Sequence, residues 1–456
     1  MLGHPSLVLI RSDPENTPGE MDDPSKTLSD SIPTLAGGDV SLASRPSRPS
    51  IFPGSMRSLP PEVVTIILRH LGHQETLVSA CLVCKSWSIG AMSVLWAHPR
   101  ISKTSSLMQF ARLAARSNPY AKFIQHLRIK LVCHERFCPA DPALLCLLAP
   151  ACRNLRSLVL FGFEFGFDGS LYLDIGEILE CFFASCPKLE ALVLHNVQIT
   201  RVGSYVTRGL SRLKTLQLHL SFEENCQFFM SIAQTVNSLK DLDLSWRRVP
   251  DGVLSAILRR SPDLHELKLG LGHTDLTLRL IPALCPSLRC LSLGDSSVFT
   301  DACVRALFES CPQLEVVAVE SATVTPKLVL EAVDEFLPRC HTLLLNAIRY
   351  RPRQFPSDAP LLAFFEKRRH ILRGFATFTK ASLVTFEFLQ KLAELCPVLP
   401  EISIRFKSPT MEYAAGFLED CPVPYEASIS KGPDECSDVV SVCYDQGRYL
   451  QQLLNE

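Results

Sequence analysis

Neither charge sign is in excess in this sequence: 46 Lys and Arg stand against 47 Asp and Glu, a formal net charge of −1 over 456 residues. Proteins that hold nucleic acid by neutralising phosphates usually carry a basic surplus, so no nucleic-acid partner is expected. Apolar runs are short and none nears the roughly 18 residues of a membrane span, so no membrane partner is expected either. A secretion signal is missing: MLGHPSLVLIRSDPENTP has no basic n-region, and its apolar run Leu7–Ile10 is too short for an h-region. Asn-x-Ser/Thr glycosylation sequons are absent as well. Also absent are a Gly-x-Ser-x-Gly elbow, a phosphate-binding loop and a His-Glu-x-x-His pair, and the 12 histidines are scattered. No catalytic residue and no cofactor are expected from such a chain.

Cysteine, by contrast, is abundant at 18. Without a secretion signal, the favoured state is the buried, reduced thiol, which places the protein in the cytoplasm and/or nucleus. Cys-Pro recurs at Cys186-Pro187, Cys285-Pro286, Cys311-Pro312 and Cys396-Pro397, with Ser261-Pro262 as a variant. Each of these cysteines falls in a different stretch of about 25 residues, whereas a metal needs converging ligands. Burial at a helix end as a small hydrophobe is the better reading. Cys81-x-x-Cys84 and Cys133-His134…Cys138 have metal-like or redox-like spacing, but the first lies inside a helical pattern and the second lacks a second ligand pair. No metal is expected.

Residues 1–55 are rich in proline, serine and glycine, with Phe52 as the one aromatic. They offer too little apolar surface to offset ordering entropy, which predicts a disordered segment. Order is expected from residue 56. Leu59-Pro60-Pro61-Glu62 reads as a helix start, and Val63, Ile66, Ile67 and Leu71 then recur at helical spacing up to Gly72. Further short helices are expected at Thr76–Trp87 and Ile89–Trp96, giving a helical unit over 56–100 and a helical linker over 101–120.

Beyond residue 120 the pattern Leu-x-x-Leu-x-Leu repeats. It reads Leu155/Leu158/Leu160, Leu189/Leu192/Leu194, Leu213/Leu216/Leu218, Leu239/Leu242/Leu244, Leu264/Leu267/Leu269 and Leu288/Leu291/Leu293. Valine enters in Leu314/Val317/Val319, and weaker copies are Ile124/Leu127/Ile129, Cys340/Leu343/Leu345 and Leu399/Ile402/Ile404. Successive starts from Leu189 to Cys340 differ by 24, 26, 25, 24, 26 and 26 residues, a regularity that marks true repeats. Each Leu-x-Leu is a short strand with one buried face, followed by a segment with helical spacing, such as Asp251–Arg260 or Asp301–Ser310. A single strand–helix unit cannot bury its own apolar face. Stacking solves this and predicts an α/β chain: a short all-helical unit, then a curved leucine-rich-repeat solenoid of about ten strand–helix repeats over 121–406. The stretch 345–399 is expected to hold an irregular repeat with an insertion, and 407–456 a cap or tail.

The segment 59–96 resembles an F-box. Leu59-Pro60, Ile67-Leu68, Leu71, Leu82-Val83-Cys84-Lys85 with Trp87, and Leu95-Trp96 match the family pattern over about 40 residues. The repeats, for their part, resemble the cysteine-containing class of leucine-rich repeat. The resemblance implies a substrate-recognition subunit of a cullin-based ubiquitin ligase of the SCF type. Leu59, Pro60, Ile67, Leu71, Val83 and Trp87 would then face a Skp-type adaptor, and the repeats would hold a target protein. Such a receptor is not an enzyme. The alternatives are a leucine-rich-repeat scaffold or regulator with no ubiquitin role, whose residues 56–100 merely cap the solenoid, and a GTPase activator, for which no edge-loop Arg or Asn stands out.

Outward strand positions flank the buried leucines. They include Val159, Phe161, Val193, His195, His219 and Asp243, the expected target-binding residues, together with Gln217, Ser245, Lys268, Ser292 and Glu320. Early positions are apolar or aromatic and later ones more charged, so an exposed Phe161–Val193 patch is expected to suit a partner.

Overall fold

The computed structural model describes residues 59–445 apart from 71–73, 103, 116–119, 131, 134–137, 140–141, 163–173, 221, 246–248, 271, 295–298, 321–322, 346–357, 381–390, 392–394, 396–400, 409–424 and 432–437. The helical unit contains α1 (Pro61–His70), α2 (Gln74–Ala80) and α3 (Lys85–Leu95). Its core is small and its own: Val64, Leu68, Leu77, Ala80 and Ala91 are buried together, with Trp87 packed against them. The helix boundaries correct the sequence reading. Trp87 belongs to α3 rather than to the end of α2, because Cys81–Cys84 form a turn between the two helices. Gly90 lets α3 approach α1 closely: a Cβ there would stand 3.0 Å from Leu68 and 3.2 Å from Val64.

Trp96, just past α3, belongs to the second core. It is stacked on Phe110 of α4 (Thr104–Ala115) at 5.4 Å and packs against the cluster that runs through the repeats. A two-residue strand, β1 (Arg100–Ile101), then starts the sheet.

The repeats follow in chain order as β2 (His126–Lys130), a small pair β3 (Val132–Cys133) and β4 (Cys138–Pro139), α5 (Pro142–Leu148), β5 (Ser157–Phe161), α6 (Gly176–Ser185), β6 (Ala191–His195) and α7 (Ser204–Leu210). Next come β7 (Thr215–His219), α8 (Phe222–Thr235), β8 (Asp241–Leu244), α9 (Asp251–Arg259), β9 (Glu266–Leu269), α10 (Asp275–Leu284), β10 (Cys290–Leu293), α11 (Asp301–Ser310), β11 (Val316–Val319), α12 (Pro326–Phe336) and β12 (Thr342–Leu345). The series ends with α13 (Asp358–Arg368), β13 (Gly374–Lys380), β14 (Glu401–Ser408), β15 (Tyr425–Lys431) and β16 (Asp438–Asp445). One sheet of 14 strands runs β1-β2-β5-β6 and onward in sequence to β14, then β16 and β15. Neighbours are parallel from β1 to β14, and β16 and β15 are antiparallel. Strands in a sheet stand about 4.8 Å apart, whereas packed helices need about 8–10 Å, so the helix layer is the longer one and the sheet lines the concave side.

The repeat leucines are the core. Leu158, Leu160, Leu192, Leu194, Leu216, Leu267 and Leu269 have no exposed surface, and each adds roughly 1.5–3 kcal/mol of transfer free energy. Cys186, Cys285 and Cys311 are the buried caps that end α6, α10 and α11. A polar ladder ties successive turns together. Thr274 Oγ1 donates to Asp251 at 2.8 Å, Thr300 Oγ1 to Asp275 at 2.6 Å and Thr325 Oγ1 to Asp301 at 2.7 Å, each linking one helix start to the next. Asn225, buried at a kink in α8, accepts the Ile199 N–H at 2.7 Å.

The irregular repeat expected in 345–399 is α13 with β13, which continue the series and bury Leu372 and Phe375 in the common core. Its strand lacks leucine at the usual places. Within 407–456, expected as a cap or tail, β15 and β16 extend the sheet in the antiparallel sense. Leu71, Arg349–Arg353, Cys396 and most of the Phe-Gly-rich 161–170 stretch lie outside the described residues.

Candidate functional site

Two surfaces carry the site residues. On the helical unit, α1 spaces Val63, Ile66 and Ile67 on the side opposite buried Val64 and Leu68, and all three are exposed. Leu59, Val78, Leu82, Val83 and Ile89 join them, with Leu82 at 84% and Val83 at 64% exposure. Among the described residues, eight of the 14 exposed large hydrophobic side chains fall between positions 59 and 89. A monomer rarely gathers so many in so short a span. The expected adaptor residues Leu59, Pro60, Ile67 and Val83 are all exposed here. Trp87 differs: it is half-buried against the unit's core, so it serves the fold at least as much as any contact.

The second surface is the open face of the sheet. The register aligns Val159, Val193, Gln217, Asp243 and Lys268 in one row, and Phe161, His195 and His219 in the next. All six expected target-binding residues therefore share one face on four adjacent strands. Phe161 stacks on His195 at 4.3 Å and 10°, and His195 meets His219 at 4.0 Å. His219 Nε2 lies 3.9 Å from Asp243, and Lys268 Nζ lies 3.8 Å from Asp243 and 2.8 Å from Glu266. At the other end the Arg128 guanidinium sits 4.5 Å over the Phe161 ring. The result is a continuous ladder from Arg128 to Lys268, parallel to the solenoid axis.

Burial, with the nearby His219 adding to it, pushes His195 down to about 4, against an opposing pull from Asp243. Burial also lowers His219, although Asp243 favours its charged form. Lys268 is raised despite burial, because Glu266 and Asp243 hold its charge. At neutral pH both imidazoles are uncharged, and the ladder is cationic at one end, aromatic in the middle and ionic at the other.

The expected apolar Phe161–Val193 patch is corrected on two counts. Both side chains are half-buried, and Phe161 is held between Arg128 and His195 because parallel strands stack like positions ring on ring. Nor do charges grow steadily along the face. They stand on β2 as Arg128 and Lys130 and again on β8 and β9 as Asp241, Asp243, Glu266 and Lys268, after which the row continues as Ser292, Ala318 and Leu344. Sequence reasoning missed Arg128, although the alternation in His126–Lys130, outward then inward, was there to place it.

Among the described residues no cluster of His, Cys, Asp and Glu suits a metal ion, and no helix is long and apolar enough to cross a membrane. Cys133 and Cys138 are register partners in the small β3–β4 pair.

A helical unit with its own core, placed before a strand–helix solenoid with an open parallel sheet, defines an F-box-like domain followed by leucine-rich repeats. The family description "F-box-like" matches residues 56–102. No curated protein matches the chain. Among solved structures the chain is similar to the crystal structure of the Rad7 and Elc1 complex in yeast, at 17% identity over 74% of this chain and 86% of that one, with a TM-score of 0.49. It is also similar to the leucine-rich repeat-containing protein LegL7 from Legionella pneumophila, at 15% identity over 60% and 91% of the two chains, with a TM-score of 0.37.

Proposed function

We propose that this chain is the substrate-recognition subunit of a cullin-based ubiquitin ligase. Its F-box-like domain binds a Skp-type adaptor and, through it, a cullin, while the open face of the repeats holds a target protein. The protein lends position rather than chemistry, and ubiquitin transfer takes place on other subunits. The observation that carries this reading is the exposed apolar face of residues 59–89, coinciding with the match to an F-box-like domain. Leu59, Pro60, Ile67, Leu71 and Val83 are the proposed adaptor contacts, with Trp87 positioning α3 behind them. Val159, Phe161, Val193, His195, His219 and Asp243 form the proposed target surface. Action in the cytoplasm and/or nucleus fits the thiols. Cys152, Cys186, Cys285, Cys311 and Cys340 are free and buried, and burial pushes Cys152, Cys186 and Cys285 up to about 12.

The test is adaptor binding. Leu82→Asp with Val83→Asp replaces two of the most exposed side chains on the face, so folding should be unaffected. Central residues of an interface contribute 2 kcal/mol or more, which corresponds to at least a roughly 30-fold loss of affinity for a Skp-type adaptor in calorimetry. Unchanged affinity would leave the scaffold reading, in which residues 56–100 only cap the solenoid.

A further inference from the structure

The F-box end of the sheet carries a group of cations that the ladder from Phe161 to Asp243 does not use. β2 presents His126, Arg128 and Lys130 outward, with Leu127 and Ile129 buried between them. β1 places Arg100 directly opposite Arg128 in the parallel register. His98 stacks on His126 at 4.5 Å and 8°. Arg156, just before β5, acts electrostatically on His126, and Arg69 in the last turn of α1 acts on His98. All seven residues are exposed, and among the described residues no ion pair involves any of them.

This arrangement costs stability. Like charges directly opposite on neighbouring strands repel. Burial lowers His98 and His126, and neighbouring cations lower them further, Arg69 and Arg100 the first and Arg156 the second, so the cations of this face at neutral pH are Arg69, Arg100, Arg128, Lys130 and Arg156. The chain as a whole carries a formal net charge of only −1, and the neighbouring Lys214 of the next repeats is paired with Glu190 at 3.1 Å. A concentration of one sign on one end of an open sheet selects an anionic partner.

The geometry points to an extended acidic segment of a protein partner, with Asp or Glu at alternate positions, lying along β1 and β2. We infer this from spacing as well as sign. Outward side chains on β2 recur every second residue, about 6.7 Å apart, and alternate side chains of an extended peptide recur at the same interval. Carboxylates on such a peptide fall opposite Arg128 and Lys130 in turn, with Arg100 reaching the same row and His126, held neutral by burial and its cationic neighbours, offering an imidazole N–H beside them. Single charges spread along a strand match single carboxylates better than one concentrated dianion. The inference rests on the proposed role of the open face as the recognition surface and adds the chemistry of what that surface takes. Arg128 joins the two halves: its guanidinium covers Phe161, so an acidic segment at β2 would lead directly onto the aromatic ladder.

The experiment is fluorescence anisotropy with the full chain and four labelled probes. These are an extended peptide with Glu at alternate positions, the same peptide with Gln, a neutral peptide bearing one phosphoserine, and a single-stranded oligonucleotide. The alternate-Glu peptide should bind, the Gln peptide should bind at least tenfold more weakly, and raising salt from 50 to 300 mM should weaken binding several-fold. Arg100→Glu with Arg128→Glu should abolish binding, whereas Lys327→Glu on the helix layer should leave it unchanged. Arg100→Gln with Arg128→Gln, a milder change, should still lower affinity at least tenfold and covers misfolding of the reversed variant. Equal binding of the Gln peptide, salt-independent affinity, or full binding by the double Gln variant would overturn the proposal. So would tighter binding of the phosphopeptide or the oligonucleotide. Adaptor binding measured on the same samples separates the two readings, since loss of adaptor affinity bears on the ligase role and loss of acidic-peptide affinity on this surface.

Discussion

Arg368 is the buried cation on which the C-terminal repeats turn. Its side chain is 4% exposed at the end of α13, and it donates to the Leu337 carbonyl at 2.8 Å, to the Val333 carbonyl and to Asp334 Oδ1 at 3.3 Å. Those carbonyls lie at the end of α12, and each also accepts a backbone N–H, Val333 from Leu337 at 3.0 Å and Leu337 from Cys340 at 3.1 Å. Arg368→Met keeps the length and apolar stem but removes every donor. Both carbonyls keep their backbone donors, so the change removes charge-assisted hydrogen bonds, worth roughly 1.5–3 kcal/mol each, without stranding an acceptor. Relief from burying a charge offsets part of this, which leaves a net loss of about 2 kcal/mol. Solenoid repeats are stabilised mainly by nearest neighbours, so the loss should be local. Hydrogen exchange of the amides in β12 and β13 should accelerate by about 30-fold or more, while β6 and β7 keep their protection. A second reading comes from pH. Burial tends to raise the Asp334 carboxyl, but hydrogen bonds and charge from Lys367 and Arg368 outweigh it and hold it below the usual carboxylate range. A depressed carboxylate contributes stability above its unfolded value, roughly 3.9, which is lost as pH falls through the lower folded value. The variant should lose less stability on acidification below about pH 4. If Arg368→Met and Arg368→Ala both leave exchange in β12 and β13 within a factor of two, the guanidinium is not the cap described here.

Other expectations concern the core and the ladder. Leu267→Ala, at a position with no exposed surface, should lower stability by about 2–5 kcal/mol in denaturant unfolding. His195, with its folded value lowered to about 4 from 6.5, binds fewer protons in the folded than in the unfolded state between those values. Its contribution is therefore present above about pH 6.5 and is lost as pH falls toward 4, by about 1 kcal/mol between pH 7 and 5 once partial exposure is allowed for. His195→Phe should flatten that part of the stability–pH curve, and an unchanged slope would mean the imidazole is not held neutral by its stack.

The repeat architecture was readable because it rests on periodicity. Leu-x-x-Leu-x-Leu at intervals of 24–26 residues places the buried face without any long-range information, and the strands fall where those leucines stand. Periodicity failed where the side chains changed. The β13 repeat uses Leu372 ahead of the strand, with Gly374 opposite Thr342 and Phe375 within it, in place of the leucine pattern, and pairing with β12 fixes its position. The turn at Cys81–Cys84 was likewise hidden, because apolar spacing continues across it.

The outward residues divide in the same way. That Phe161, His195 and His219 face the same side follows from alternation along each strand, which is local. That they touch, ring on ring, depends on cross-strand register, and register is set by how whole repeats stack. The near-neutral composition gave no hint of a cationic end to the face, because net charge sums over the molecule while a surface is local. Arg69, His98, Arg100, Arg128 and Arg156 are spread over 88 sequence positions, 69 to 156, and converge only when β1 and β2 pair beside α1. The sequence by itself determined which side chains are buried and which point out, since that is decided by a period of two or of 3.6. Tertiary structure decided which outward groups become neighbours, since that depends on contacts between segments far apart in the chain.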